Sequence, residues 1–218
     1  MPYRPRLLAS VLVALLVLGS LMGCARMGAE QAQQHLEAGR SLLDEGKPEE
    51  ALRELEQAVR LDKGSAEAQY LLGNALVRCG ELDRAARAYE AALRLDPKHV
   101  SARSNLGVVR YRQGQTEAAI REFEQALQLQ PDDADIHYNL GGAYAQLGQL
   151  EQAIAEFEQA LRLDPNLAQP YLGLGLVYKL QGRKAEAIQA LQRYLELSTD
   201  PEWRAQAEAA LREMQEGS

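Results

Sequence analysis

Three histidines, His35, His99 and His137, are the side chains in this sequence best suited to metal binding or proton transfer. Metal binding needs several such groups to converge in one place. His35 and His137 occupy the same position in two distant copies of a 34-residue repeat that is described below, and His99 lies in a loop. We therefore expect the histidines to form no metal site.

No catalytic motif accompanies the histidines. The sequence lacks a Gly-rich phosphate loop, a Gly-x-Ser-x-Gly motif and a His-Glu-x-x-His motif. Carboxylates such as Glu151, Glu156 and Glu158 alternate with Gln, Arg and Ala, which favours a solvated helix face. The net charge of −7 argues against a nucleic-acid partner, which needs a basic surface. We predict a protein that is not an enzyme and has no cofactor or small-molecule substrate.

The two cysteines, Cys24 and Cys79, are too few for a disulfide framework. We expect Cys79 to be a buried free thiol. Cys24 ends a stretch that starts with Arg4 and Arg6 and continues as an uncharged apolar run over 7–23. That run is long for the apolar part of a signal peptide and short for a membrane-spanning helix. An uncleaved inner-membrane anchor and ordinary secretion are therefore both open on composition alone.

The end of this run favours a third possibility. Leu21-Met22-Gly23-Cys24 resembles the lipobox of bacterial lipoproteins, with Met22 departing from the usual small residue. The resemblance implies a signal peptide over 1–23, a palmitate-type lipid on Cys24 and a short tether over 24–31. Ala25 stands where an Asp would resemble an inner-membrane retention signal, so the resemblance favours the outer membrane, facing the periplasm.

A 34-residue repeat organises the rest of the chain, in copies at 32–65, 66–99, 100–133, 134–167 and 168–201. Position eight of each copy is a glycine: Gly39, Gly73, Gly107, Gly141 and Gly175. Position fifteen is also a glycine: Gly46, Gly80, Gly114, Gly148 and Gly182. A glycine inside a helix costs about 1 kcal/mol relative to alanine. Five glycines at position eight therefore predict a contact that no larger side chain would allow.

The copy at 134–167 reads as two amphipathic helices. The first is expected from about Ala134 to Leu147, with Asp132 and Asp133 available as caps and Gly148 as its stop. The second helix is closed by Pro165. It carries one apolar face, formed by Leu150, Ala153, Ile154, Phe157, Ala160 and Leu161.

These residues carry a family resemblance. The Leu-Gly, Tyr, Ala, Phe, Ala and Pro pattern of this copy resembles the tetratricopeptide repeat, at Leu140, Gly141, Tyr144, Ala153, Phe157, Ala160 and Pro165. The resemblance implies one all-α domain, a right-handed α-solenoid of five helix-turn-helix repeats over 32–201. A helix over 202–218 would cap the last repeat through Trp203, Ala207, Ala210, Leu211 and Met214. A docking helix for a partner is the alternative for this segment.

The resemblance also implies where a ligand binds. In this family, positions two, five, nine, twelve and thirteen of the first helix line a concave groove. The predicted peptide-binding residues are Tyr70, Asn74, Arg78, Ser104, Val108, Tyr111, Arg112, Tyr138, Gly142, Leu172 and Leu176. Tyrosines and small residues supply contact area, and Asn and Arg supply polar contacts. Packing between helices is the alternative for Leu172 and Leu176.

Chaperone-docking members of this family clamp a terminal carboxylate with Lys, Asn and Arg. Asn74 and Asn105 match the two asparagines of that clamp, but Tyr70, Asp135 and Asn139 stand at its basic positions. We therefore expect no carboxylate clamp.

The expected function is a non-enzymatic, membrane-anchored scaffold that binds protein or peptide segments for assembly of a cell-envelope complex. Pilus or secretion machinery and peptidoglycan machinery both suit this description. One alternative is an inner-membrane-anchored assembly factor for cytochrome maturation or polysaccharide export. Another is an envelope enzyme whose site the sequence does not reveal.

Overall fold

The computed structural model describes residues 27–216, which form helices joined by short turns and include no strand. The helices are α1 over 27–44, α2 (Pro48–Leu61), α3 (Ala66–Arg78), α4 (Leu82–Leu95), α5 (Val100–Arg112), α6 (Thr116–Leu129), α7 (Ala134–Gln146), α8 (Leu150–Leu163), α9 (Ala168–Leu180), α10 (Lys184–Leu197) and α11 (Pro201–Glu216). Each 34-residue copy contains two of them. The prediction of an all-α helical-repeat fold is confirmed.

The chain forms two compact units, the first ending at Pro97 and the second beginning at Lys98. The first unit contains α1 to α4. Its helices α1, α2 and α3 share an apolar core that includes Leu36, Leu55 and Leu71. The second unit contains α5 to α11, and each of these helices packs against the next one in the chain. Phe123 and Phe157 are buried in the cores of the second unit.

The position-eight glycines lie where the first helix of a repeat packs against a side chain of the second. A Cβ atom on Gly141 of α7 would lie 2.7 Å from the ring of Phe157 in α8. The same atom on Gly107 would lie 2.6 Å from the ring of Phe123. Both distances are shorter than van der Waals contact. The predicted requirement for glycine at this position is confirmed.

The position-fifteen glycines end the first helix of each repeat. All five have a positive φ, between 71° and 78°, which glycine adopts without the strain that a Cβ atom causes. After Gly148 the chain turns back, and the Gln149 N–H donates to the Tyr144 carbonyl at 3.0 Å. This bond satisfies a carbonyl at the end of α7. The prediction that Gly148 stops this helix is confirmed.

The ends of several elements differ from expectation. Asp133 caps α7 as predicted, since its side chain accepts from the Ile136 N–H at 3.1 Å, but the helix ends at Gln146, one residue before the expected Leu147. The tether expected over 24–31 is helical from residue 27 onward. The signal peptide and lipid site expected over 1–24 lie outside the described residues.

Cys79, which was expected to be a buried free thiol, is free and only partly buried. This burial raises the pKa of its thiol.

The last helix, α11, packs against the fifth repeat. Ala207 and Ala210 of α11 are buried in a cluster with Leu172, Leu191 and Tyr194. Trp203 was expected to lie on the packing face, and this expectation is wrong because its side chain is 50% exposed. The small side chains of the two alanines make the contact, one and two helical turns further along.

Candidate functional site

The predicted groove residues of the second unit lie on α5, α7 and α9, and the starts of α5 and α7 are fixed by side-chain caps. His99 Nδ1 accepts from the Ala102 N–H at 3.3 Å, and Asp133 caps α7 as described above. The buried face of α5 contains Ala102, Leu106, Gly107 and Val109, and that of α7 contains Ile136, Leu140, Gly141 and Ala143. With those faces in the core, the residues of the predicted groove lie on a different side of each helix.

Four of the predicted residues come together in one pocket of about 90 Å³. Its lining consists of Val108, Tyr111, Phe123, Tyr138, Asn139 and Gly142. Phe123 and Asn139 were not among the predicted groove residues. Phe123 stands at a core position of the repeat pattern, and Asn139 was considered only as a departure from the carboxylate clamp. Helical spacing could have found Asn139, because it lies three residues before the predicted groove residue Gly142 on α7.

Aromatic rings give this pocket its apolar character. The Tyr138 ring lies 6.0 Å from the Phe157 ring, centroid to centroid, and the Tyr111 side chain is 36% exposed. Burial is the main cause that raises the pKa of Tyr138, and the nearby Tyr111 and Tyr194 raise it further. The Tyr138 hydroxyl is therefore neutral at physiological pH and can donate or accept a hydrogen bond.

One polar side chain, Asn139, lines the pocket, and a second, Arg112, lies four residues after Val108 and therefore on the same side of α5. The side-chain amide of Asn139 makes no hydrogen bond within residues 27–216, although it can both donate and accept. Arg112 follows Tyr111 on α5 and is exposed, with no ion-pair partner among the described residues. The arrangement combines a small recess lined by aromatic rings with an amide and a nearby arginine, and aromatic residues and arginine are enriched at protein interfaces.

The remaining predicted residues of the second unit do not line this pocket. Ser104 is half-buried on α5. Leu172 of α9 is 8% exposed, and Leu176 packs against the same apolar cluster. Leu172 and Leu176 therefore pack between helices, which is the alternative that the sequence offered for them.

The predicted residues of the first unit have partners within that unit. The Tyr70 ring lies 6.2 Å from the Tyr89 ring, and the Tyr89 hydroxyl donates to the Asn74 side chain at 2.7 Å. Arg78 donates to the carbonyl of Leu43. These three side chains hold helices of the unit together, which their positions in the repeat did not indicate.

A second set of polar side chains recurs at positions four and twenty-three of the first, third and fourth repeats. His35 and Glu54 are 2.6 Å apart, as are His137 and Glu156, and Arg103 lies 3.2 Å from Glu122. These pairs link the two helices of one repeat, and the constant spacing of 19 residues is a signal that sequence reasoning missed. Among the described residues, no three His, Cys, Asp or Glu side chains are grouped to hold a metal ion.

The fifth repeat lacks such a pair, because Tyr171 and Ala190 stand at these two positions. An open crevice of about 510 Å³ lies there, lined by residues of α9 and α10 that include Tyr171, Tyr178, Glu186 and Arg193. Arg183 lies over the Tyr178 ring at 4.2 Å, and Arg193 lies 6.0 Å from the Tyr171 ring. The chain's own arginines therefore already contact both rings.

None of the helices within residues 27–216 has the length and apolar character needed to cross a membrane. Cys24, the predicted lipid site, lies outside this part of the chain.

Comparison with protein families gives tetratricopeptide repeat matches over 36–100, 70–122 and 105–168, and a second tetratricopeptide repeat model matches 148–211. Comparison with curated protein sequences gives no match. Together the family matches span most of the chain and confirm the predicted repeat type.

Solved structures give the same fold. MamA from Desulfovibrio magneticus RS-1 is 30% identical with a TM-score of 0.71, over 77% of this chain and 94% of that chain. TTC0263, a thermophilic TPR protein of Thermus thermophilus, is 26% identical with a TM-score of 0.67, over 83% and 98%. YrrB, described as a TPR protein with an unusual peptide-binding site, is 23% identical with a TM-score of 0.68, over 86% and 97%. At that identity the likeness to YrrB concerns the fold alone.

Proposed function

The chain belongs to the tetratricopeptide repeat family, and we propose that it is a membrane-anchored scaffold that binds an extended segment of a partner protein. Repeat proteins of this kind provide surfaces for protein interaction and are generally not enzymes. The binding site we propose consists of the groove residues of α5 and α7. We propose no catalytic role, no cofactor and no small-molecule substrate for this protein.

The observation that carries the proposal is the pocket shared by α5 and α7. Val108 and Tyr111 come from one repeat, whereas Tyr138 and Gly142 come from the next. An extended segment that crosses both helices can therefore place a side chain between them. Aromatic side chains and arginine supply much of the energy at such interfaces, and here Tyr111 and Arg112 are adjacent and exposed.

The Leu-Met-Gly-Cys stretch over 21–24 supports the membrane anchor. A lipidated Cys24 with two or more acyl chains would anchor the protein stably, because a single chain gives only marginal binding. Since α1 extends from residue 27, the repeats would then lie close to the membrane surface. We propose an outer-membrane location facing the periplasm, where the scaffold would assist assembly of an envelope complex such as pilus, secretion or peptidoglycan machinery.

Selection of peptides on the chain tests the binding function. A phage-displayed library of random dodecapeptides is selected on the immobilised full chain, and the enriched peptides are measured by fluorescence anisotropy. Replacing Tyr111 and Arg112 together with alanine should weaken their binding by about 2–4 kcal/mol, or about 30- to 700-fold. Both side chains are exposed, so the circular dichroism spectrum should be unchanged.

Arg121→Ala is the control, because Arg121 is an exposed arginine of α6 that does not line the pocket. This variant should bind the peptides as the wild type does. If no peptide is enriched on the wild-type chain, or if the double variant binds undiminished, the proposed groove is not the binding site.

A further inference from the structure

Gly141 and Gly142 are neighbours in α7, yet only Gly141 is explained by packing. A Cβ atom on Gly141 would lie 2.7 Å from the Phe157 ring and 3.2 Å from the Ala153 carbonyl oxygen. A Cβ atom on Gly142 would meet no heavy atom within 4 Å. Gly142 also lies within regular helix, without the positive φ that would require glycine. Since glycine in a helix interior is destabilising relative to alanine, the fold gains nothing from Gly142.

Gly142 does contribute to the pocket. It lines the recess together with Val108, Tyr111 and Tyr138, and a larger side chain at this position would extend into the open space beside it. The absence of a side chain at position 142 therefore leaves the recess accessible.

The volume of the recess indicates what it can hold. Its 90 Å³ lies between the about 10–15 Å³ that one water molecule needs and the about 150 Å³ of an engineered cavity that binds benzene. A branched aliphatic side chain of three or four carbons fits this range, whereas an indole ring does not. The rings of Tyr111, Phe123 and Tyr138 give such a side chain an apolar surround.

Charge complementarity adds a second element. Arg112 adjoins Tyr111 on α5, is exposed and has no ion-pair partner within the described residues. A carboxylate on the bound segment would pair with this guanidinium. The Asn139 amide, which lines the recess, can bind the peptide backbone because it offers both a donor and an acceptor.

We propose that the recess at Gly142 selects one aliphatic side chain, Val, Ile or Leu, of an extended peptide that also carries an acidic residue for Arg112. Gly142 is then a specificity-determining residue that keeps the recess open. This inference rests on the proposed function, because it assigns the chemistry of the segment that the same groove binds.

The test uses the peptides selected on the full chain and compares Gly142→Leu and Gly142→Ala with the wild type. Gly142→Leu should weaken binding of the selected peptides at least about tenfold, a typical effect of changing an apolar pocket by a few carbon atoms. Gly142→Ala should weaken it less. Gly142→Ala should not lower the unfolding midpoint, because its Cβ atom meets no heavy atom within 4 Å. The unfolding midpoint of Gly142→Leu is measured beside it, so that a loss of binding can be distinguished from a loss of fold.

Changes in the peptide test the other side of the contact. The selected peptides should share an aliphatic residue, and replacing it with alanine or tryptophan should weaken binding to the wild-type chain. Replacing the acidic residue of the peptide with its amide should weaken binding to the wild-type chain. The same replacement should have little effect on binding to the Arg112→Ala variant. Ala155→Leu, at an exposed position of α8, is the matched control for Gly142→Leu and should leave binding unchanged.

The inference is overturned if Gly142→Leu binds the peptides as tightly as the wild type, or if the peptides share an aromatic or charged residue instead of an aliphatic one. The proposed function survives either result, provided that the Tyr111 and Arg112 double variant still loses binding. If the wild-type chain selects no peptide at all, the inference and the proposed function are both rejected.

Discussion

Replacing Ala153 with leucine tests the helix pairing that positions α7 and its groove residues. Ala153 of α8 is 0% exposed, and its carbonyl oxygen lies 3.2 Å from the place of a Cβ atom on Gly141. Leucine adds three carbon atoms to this closely packed contact, so the free energy of unfolding should fall by about 1–3 kcal/mol. Each 1 kcal/mol shifts the melting temperature of a chain of this size by about 2–4 °C, which predicts a decrease of about 2–12 °C.

Ala155 offers a matched control because it lies on the same helix and is exposed. Ala155→Leu should change the free energy of unfolding by less than about 0.5 kcal/mol. Thermal and urea unfolding of both variants and the wild type, followed by circular dichroism, measures the two effects. Equal shifts in the two variants, or an unchanged midpoint in Ala153→Leu, would refute the pairing of α7 with α8.

Three further predictions concern the anchor, a helix end and a tyrosine. Cys24→Ser should abolish incorporation of a fatty-acid analogue in cells, and equal labelling of wild type and variant would reject the lipid anchor. Gly148→Ala should lower the free energy of unfolding by about 1–2 kcal/mol, because residue 148 has a φ of 72°; an unchanged urea midpoint would contradict this. Burial, followed by the hydrogen bond donated to Glu124, raises the pKa of Tyr144 to about 12. Its contribution to stability is complete below about pH 10 and is lost as the pH rises through about 12, so the stability difference between wild type and Tyr144→Phe should change across that interval and stay constant below it.

The repeat and its helices could be predicted from the sequence because the same physical requirement recurs every 34 residues. Glycine at position eight allows the close approach of two helices, and glycine at position fifteen adopts a left-handed φ. Each requirement is local, so the residue type reveals it. The ends of the chain lack a second copy for comparison, which is why the helical start of α1 and the exposure of Trp203 were not foreseen.

The site was predictable only in part, because a position in the repeat indicates a side of the helix and does not reveal the partner of a side chain. Val108 and Tyr138, both predicted groove residues, line the same recess, whereas Leu172, at the position equivalent to Tyr138, is buried in a cluster with residues of α11. Asn74 likewise accepts a hydrogen bond from Tyr89, a partner 15 residues away that its position does not specify. Such contacts depend on the side chains of the neighbouring helix, and these side chains differ from one copy of the repeat to the next.

Site-specific photocrosslinking in cells tests the central proposal, that the groove of the second unit binds a partner protein. A photoreactive amino acid is placed at Tyr111, beside the recess, and separately at Ala155, an exposed position of α8 outside it. We expect irradiation to join position 111 to a distinct envelope protein, identified by mass spectrometry, and to give no such product at position 155. Crosslinking of the same protein from both positions, or from position 155 alone, would contradict the proposal and place the interaction on another surface.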